Sequence, residues 1–223
     1  THCESRSVLG IRGQNGSFAE FLNLPLENLH HVPDAVPDEN AVFTEPLAAA
    51  LEIQQQVSVR PSDRVLVVGA GRLGLLVAQV LALSGCDLKV VVRRPAQREL
   101  LKLWGISSLT EDEIPAGRMD VVVEASGSPL GFASARRAVR PRGTLVLKST
   151  YASELTLNLS SIVVDEITLV GSRCGPFPAA LNLLENRRID TLPLIAGRYP
   201  LGDGLAAFEK ASQPGVLKVL LDM

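Results

Sequence analysis

One hexapeptide constrains the fold of this 223-residue chain more than any other segment: Gly69-Ala70-Gly71-Arg72-Leu73-Gly74. It follows a continuous apolar run, Arg64 to Val68, and opens a helical pattern, Leu73 to Leu83. A G-x-G-x-x-G alone is a weak signal, but between a strand and a helix it is informative. Gly69 permits a tight turn, Gly71 lets the main chain approach a pyrophosphate, and Gly74 lets the helix sit close to the strand. The helix N-terminus then presents free N–H groups and partial positive charge to phosphates. Ala70, Arg72 and Leu73 complete the candidate dinucleotide contact. The alternative is a Gly-rich turn with no ligand, and the ordered series strand, turn, helix, strand weighs against it.

The surrounding pattern extends the reading. Helices are expected over Pro46–Gln56, Pro95–Trp104 and Phe132–Val139. Strands are expected over Leu88–Val92, Asp120–Ala125, Thr144–Lys148 and Ile167–Gly171, with a short element near Ile162–Val164. Strand and helix alternating at this spacing indicate an α/β fold, a Rossmann-type doubly wound parallel sheet. Residues 1–45 differ: short alternating segments such as Ser17–Leu22, broken by Gly and Pro, read as strands and turns of a β-rich unit. After Arg173 come helical patterns at Pro178–Asn186 and Leu201–Ser212 and a strand at Val216–Leu221. That last strand suggests that the chain returns to the first unit. The expected units are therefore 1–45, 46–172 and 173–223.

Composition excludes several classes. With 46% hydrophobic and 21% charged residues the chain is not disordered. Its 22 Lys+Arg against 24 Asp+Glu offer no basic surface for nucleic acid or an anionic membrane. The run Leu73–Leu83, interrupted by Gly74 and Gln79, is too short to span a bilayer. Cys3, Cys86 and Cys174 are too few and too scattered for a disulfide framework, so a reducing, cytoplasmic setting is expected.

The cofactor is read from the strand ends. An NAD site places an acid about 20 residues beyond the first glycine to bind the ribose 2′-hydroxyl. Here the second strand ends at Arg93-Arg94, 93 − 69 = 24 residues on. Two cations in place of the acid favour a 2′-phosphate, hence NADP(H) over NAD(H); otherwise they are a solvated strand end that tolerates NAD. Ala125-Ser126-Gly127 and Lys148-Ser149-Thr150 close two later strands and are candidates for the nicotinamide half, against the alternative of ordinary loops.

Taken together these residues resemble the zinc-dependent medium-chain dehydrogenase/reductase family of alcohol, polyol and threonine dehydrogenases. Four stretches carry the resemblance: Gly16–Phe21, Phe43–Ala50 with its Glu45-Pro46-Leu47, Val67–Gly74, and the closing Gly215–Leu220. The resemblance implies a Rossmann domain inserted in a GroES-like β-rich catalytic domain, here partial. It implies about 90 further residues ahead of Thr1, holding a catalytic zinc Cys, a His-Glu pair and most of a four-cysteine structural zinc lobe. Glu45 then resembles the remaining catalytic-site acid, a ligand of the catalytic zinc or of its water, and Cys3 the last structural-zinc cysteine. Read without the resemblance, Glu45 is an acid favourably placed at a helix start. Lys218 resembles a cation near the cofactor phosphates, or is a solvated strand lysine. His30 and His31 point to opposite faces of a strand and read as surface. Cys86 reads as core, and Cys174 as core or interface.

The implied activity is hydride transfer between a nicotinamide and a small alcohol or carbonyl substrate, with zinc assistance in the intact protein. The alternatives are a zinc-independent quinone or enone reductase and a non-catalytic dinucleotide-binding module. A homodimer or homotetramer is expected, paired through the sheet edge near Ile167–Pro176, because an unpaired edge is a liability.

Overall fold

The computed structural model describes residues 3–151 and 154–223. Its centre is one six-stranded parallel sheet. The strands are β1 Arg64–Val68, β2 Asp87–Val91, β3 Ser107–Leu109, β4 Met119–Glu124, β5 Val139–Leu147 and β6 Thr168–Gly171. Their spatial order is β3-β2-β1-β4-β5-β6. The order reverses between β1 and β4, and such a switch point leaves a crevice outside the carboxyl ends of the strands.

Helices cover both faces, which is why the strands read as unbroken apolar runs. Side chains alternate across the sheet. Val65 and Val67 belong to one buried cluster, with α1 (Thr44–Gln56), α2 (Gly74–Ala82) and α6 (Phe177–Glu185). Leu66 and Val68 belong to the other, with Phe132 and Ala135 of α4 (Pro129–Ala138) and Ile162 of α5 (Leu159–Val164). The amphipathic α3 (Pro95–Leu103) buries Leu101. In α1 the small residues Ala48 and Ala50 let neighbours press close: a Cβ on Gly175 would lie 1.8 Å from the Ala48 carbonyl oxygen. A second, two-stranded parallel sheet joins β7 (Ile195–Pro200) to β8 (Lys218–Asp222), with α7 (Gly204–Ser212) packed on both.

Most boundaries lie within a residue or two of those expected, and the exceptions have local causes. Helix α4 begins at Pro129 instead of Phe132, because the Ser128 hydroxyl accepts the Gly131 N–H at 3.1 Å and Pro129 fits the first turn. Strand β5 begins at Val139, before the register shift near Pro141. Strands β3 and β7 were not expected: Ser107-Ser108-Leu109 is polar and short, and Ile195–Pro200 carries Gly197. Among the described residues before Asp38, only Val8–Leu9 and Gly13–Gln14 pair as strands. Ser17–Leu22 does not form the expected strand, because alternation makes a strand only where a partner backbone is present. Phe21 of that segment is 90% exposed, and Phe18 packs edge-on against Phe208 of α7. His30 and His31 are exposed. Cys86 is half-buried, and Cys174 is exposed rather than core.

The amino ends of the central strands are tied by one carboxylate. Asp120 accepts the Arg64 N–H at 2.8 Å, Arg64 Nε at 3.2 Å and Arg140 Nε at 2.6 Å, linking β1, β4 and β5. Burial raises its pKa, but the hydrogen bonds from Arg140 and Arg64 outweigh burial and hold it at about 2. A depressed carboxyl adds stability above its unfolded pKa of about 3.9 and loses it as pH falls through the folded value. Asp120→Ala should therefore cost about 1–3 kcal/mol at pH 7. Between pH 4 and pH 2 the variant should lose less stability than the wild type, measured by urea unfolding across that range.

Candidate functional site

The crevice at the switch point is a cleft of about 790 Å³. It is lined by the turn Gly69–Leu73, by Arg93 and Arg94 after β2, by Ala125 and Ser126 after β4, and by Lys148 and Ser149 after β5. The topology thus brings together residues that are far apart in the chain. Gly74, the last glycine of the hexapeptide, lies buried beneath the turn.

The three glycines have different surroundings. Gly69 has φ +110°, and a Cβ there would meet the Ser126 backbone at 2.8 Å. A Cβ on Gly74 would lie 1.8 Å from the Gly69 carbonyl oxygen. Gly71 has nothing within 4 Å of its ideal Cβ, so its backbone is bare to the cleft. The N-terminus of α2 follows directly; its Leu75 and Val77 N–H groups donate to the Gly71 and Leu73 carbonyls at 3.1 and 2.9 Å, which leaves the N–H groups ahead of Leu75 to a ligand. A turn closed from below and open above is a cradle for an anionic ligand.

One end of the cleft is cationic. Arg93 and Arg94 are exposed, and Arg93 stands 3.8 Å from Glu111, itself on the cleft wall. Beside them Gln97 is buried; its Nε2 donates to the Gly215 carbonyl at 3.4 Å, and its Oε1 has no partner. Arg72 turns away, with Nε donating to the Val216 carbonyl at 3.3 Å and Nη2 to that of Ala211. It ties the turn to the segment after α7, which forms the opposite wall.

The other end contains a group that sequence reasoning missed. Glu124 closes β4 with no exposed surface. Its carboxylate accepts the Ser126 N–H at 2.7 Å, the Ser126 hydroxyl at 2.5 Å and the Tyr151 hydroxyl at 2.5 Å. Burial and the Glu124 charge raise the Tyr151 pKa, so the phenol keeps its proton and donates. An acid ending the run Val121-Val122-Val123 was the available signal. Gly127 N–H donates to Ser149 Oγ at 2.8 Å, joining the loops after β4 and β5. Lys148 is buried, with Nζ donating to Ser172 Oγ at 3.2 Å and to the Arg173 carbonyl at 2.7 Å. Burial pushes its pKa down to about 8, against the pull of Glu52, Cys174 and Glu45.

Glu45 and Lys218 lie beside the cleft, across the shared residues Arg72, Leu73 and Leu217. They line a second, mostly apolar cavity of about 320 Å³ with Phe43, Leu76, Leu194 and Arg72. Glu45 is exposed in the first turn of α1. Lys218 Nζ donates to the Val42 carbonyl at 3.2 Å and sits 5.1 Å from the Phe43 ring centre; burial lowers its pKa while Glu45 raises it. Lys218 is therefore placed off the dinucleotide cleft. No Cys or His lines the cavity, and the described residues contain no group of three His, Cys, Asp or Glu able to hold a metal. Cys3 is exposed and free. A zinc ion needs three or four protein ligands, so these residues do not fit a zinc site by themselves.

Comparison with known proteins agrees with this architecture. Residues 73–186 match the family model described as zinc-binding dehydrogenase. Sorbitol dehydrogenase of Halalkalibacterium halodurans is 30% identical over 236 aligned positions, covering 98% of this chain and 68% of that protein. The chain belongs to the zinc-binding dehydrogenase family. An alcohol dehydrogenase of Escherichia coli CFT073, solved with NADH, superposes with TM-score 0.88 at 25% identity, over 99% of this chain and 70% of that one. The cobalt- and zinc-bound thermostable alcohol dehydrogenase of Pyrobaculum aerophilum gives 0.83 at 28% identity, over 96% and 66%. The chain thus spans about two thirds of the length of these family members.

Two outcomes follow for this member of the family. Gly71→Val should leave the thermal midpoint within a few degrees of wild type, because no atom lies near its Cβ. Dinucleotide affinity, read by calorimetry, should fall at least about tenfold, the worth of one charge-assisted contact. The purified chain should also carry far less than one equivalent of zinc by plasma mass spectrometry. Near-stoichiometric zinc would mean that ligands other than Glu45 and Cys3 hold it, with His30, His31 and Cys174 the first to examine.

Proposed function

We propose that this chain forms the dinucleotide-binding part of an alcohol or polyol dehydrogenase, transferring a hydride between NADP(H) and a small alcohol or carbonyl compound. The observation that carries the reading is the bare Gly71 backbone at the mouth of α2, above a turn that tolerates no side chain at Gly69 or Gly74. When bound, the nicotinamide supplies the hydride chemistry. The N–H groups at the start of α2 bind the pyrophosphate. Arg93 and Arg94 pair with the 2′-phosphate. Ser126, Lys148 and Ser149 flank the nicotinamide half, with Glu124 and Tyr151 holding the Ser126 loop in place. The relatives named above, a sorbitol dehydrogenase and two alcohol dehydrogenases, support a hydroxyl-bearing substrate.

Glu45 has no second metal-binding side chain beside it among the described residues. That observation favours a second reading, in which the chain binds dinucleotide without turning it over. The three free thiols are consistent with a cytoplasmic setting, and no helix among the described residues is long and apolar enough to cross a membrane. Strand β6 forms an open sheet edge, with Leu169 41% exposed, and supports pairing of two copies there.

Cofactor choice is the direct test. Calorimetric titration should give NADP(H) an affinity about tenfold above NAD(H), the worth of a charge-assisted contact to phosphate. Arg93→Asp should flatten or reverse that preference. Equal or tighter binding of NAD(H) by the wild type would contradict the assignment of Arg93 and Arg94.

A further inference from the structure

The cleft carries cations at both ends, and only one pair has a phosphate to meet. In a doubly wound sheet the β1–β3 half takes the adenosine and the β4–β6 half takes the second nucleotide. Lys148 directly follows β5 in that second half, and its ammonium reaches across to Ser172 and Arg173 beyond the end of β6. Both contacts are to neutral oxygens, which fix the head group without neutralising it. Among the described residues no carboxylate lies within 4 Å of Nζ. The charges facing it are Glu45 and Glu52 on α1, with the Cys174 thiol after β6. Lys148 is 8% exposed, so solvent screens it poorly. The result is a fixed, nearly dry positive charge beside the reactive end of the cleft.

The two redox forms of a nicotinamide dinucleotide differ at that end by one unit of charge. The oxidised ring is cationic and the reduced ring is neutral. We propose that Lys148 is a specificity-determining residue that makes the cleft discriminate against the oxidised dinucleotide and hold the reduced one. The inference rests on the dinucleotide reading above and adds the sign and the residue that sets it. It has a consequence for turnover. When an alcohol is oxidised, the C–H electron pair leaves with its hydrogen to form a C–H bond on the ring, and the hydroxyl proton passes to solvent. The ring loses its positive charge in that step. A cation beside it therefore pulls the on-protein equilibrium toward carbonyl and reduced cofactor by the same factor that separates the two binding constants.

Calorimetry at pH 7 on the full chain tests this with three ligands: NADPH, NADP+ and 2′-phospho-ADP-ribose, which has every anionic group but no ring. The wild type should bind NADPH more tightly than NADP+. Lys148→Met should reduce the ratio of the two dissociation constants about tenfold, chiefly through tighter NADP+, as expected for a like charge within roughly 10 Å at an effective dielectric near 20. Lys148→Arg should keep the ratio within about twofold of wild type, and 2′-phospho-ADP-ribose should bind all three proteins alike. Lys148→Gln gives a second neutral variant that can still hydrogen-bond, with the same expected fall. A wild-type ratio of one or less overturns the inference without any variant. So does an unchanged ratio in the neutral variants, or a gain for 2′-phospho-ADP-ribose equal to that for NADP+. Failure of all three ligands to bind the wild type would instead remove the dinucleotide reading, and this inference with it.

Discussion

The site depends on a contact with no room in it. The first turn of α2 lies so close to the end of β1 that a single Cβ on Gly74 would sit 1.8 Å from the Gly69 carbonyl. The loop after β4 presses on the same turn from the side, with the Ser126 backbone 2.8 Å from where a Gly69 Cβ would be. That packing aims the start of α2 at the switch-point crevice. A helix N-terminus set further back would still carry partial charge, but its N–H groups would miss a ligand in the cleft.

Around that fixed turn, polar residues hold the walls. Arg72 and Gln97 reach across to main-chain carbonyls of the last turn of α7 and of the segment after it, so the C-terminal part of the chain closes one side of the crevice. On the other side Glu124 holds Ser126 and Tyr151 at once, a buried carboxylate whose charge is spread over three donors. Buried acids persist only when their lone pairs are answered. This one joins the loops that follow β4 and β5, on the β4–β6 side of the cleft. Arg93 and Arg94 stand outside this network, both exposed, with Arg93 3.8 Å from Glu111.

Much of this is legible in the sequence alone. The sheet, its parallel sense and the glycine turn follow from apolar runs alternating with helical periods, since both faces of the sheet are covered. Arg93, Arg94, Ser126, Lys148 and Ser149 were found because strand ends line the crevice of such folds. What escaped depended on partners distant in sequence. Glu124 reads as an ordinary strand-end acid until Tyr151 is brought against it. The edge strand β3 is too polar to announce itself. Lys218 was expected near phosphates, but the β7–β8 pair carries it to Val42 and Phe43 instead. The alternation at Ser17–Leu22 signals a strand, yet no described backbone pairs with it. The resemblance to zinc-dependent enzymes named Glu45, and neither its cavity nor its neighbours supply the other ligands.

The central claim is that one crevice takes the dinucleotide in one orientation. A crystal structure of the protein grown with NADPH tests it most directly. The pyrophosphate should lie against the Gly71–Leu73 main chain at the mouth of α2. The 2′-phosphate should meet Arg93 and Arg94, and the nicotinamide should lie between the loops carrying Ser126 and Ser149, near Lys148. A cofactor lying the other way round, or density for it anywhere but this cleft, would contradict the account.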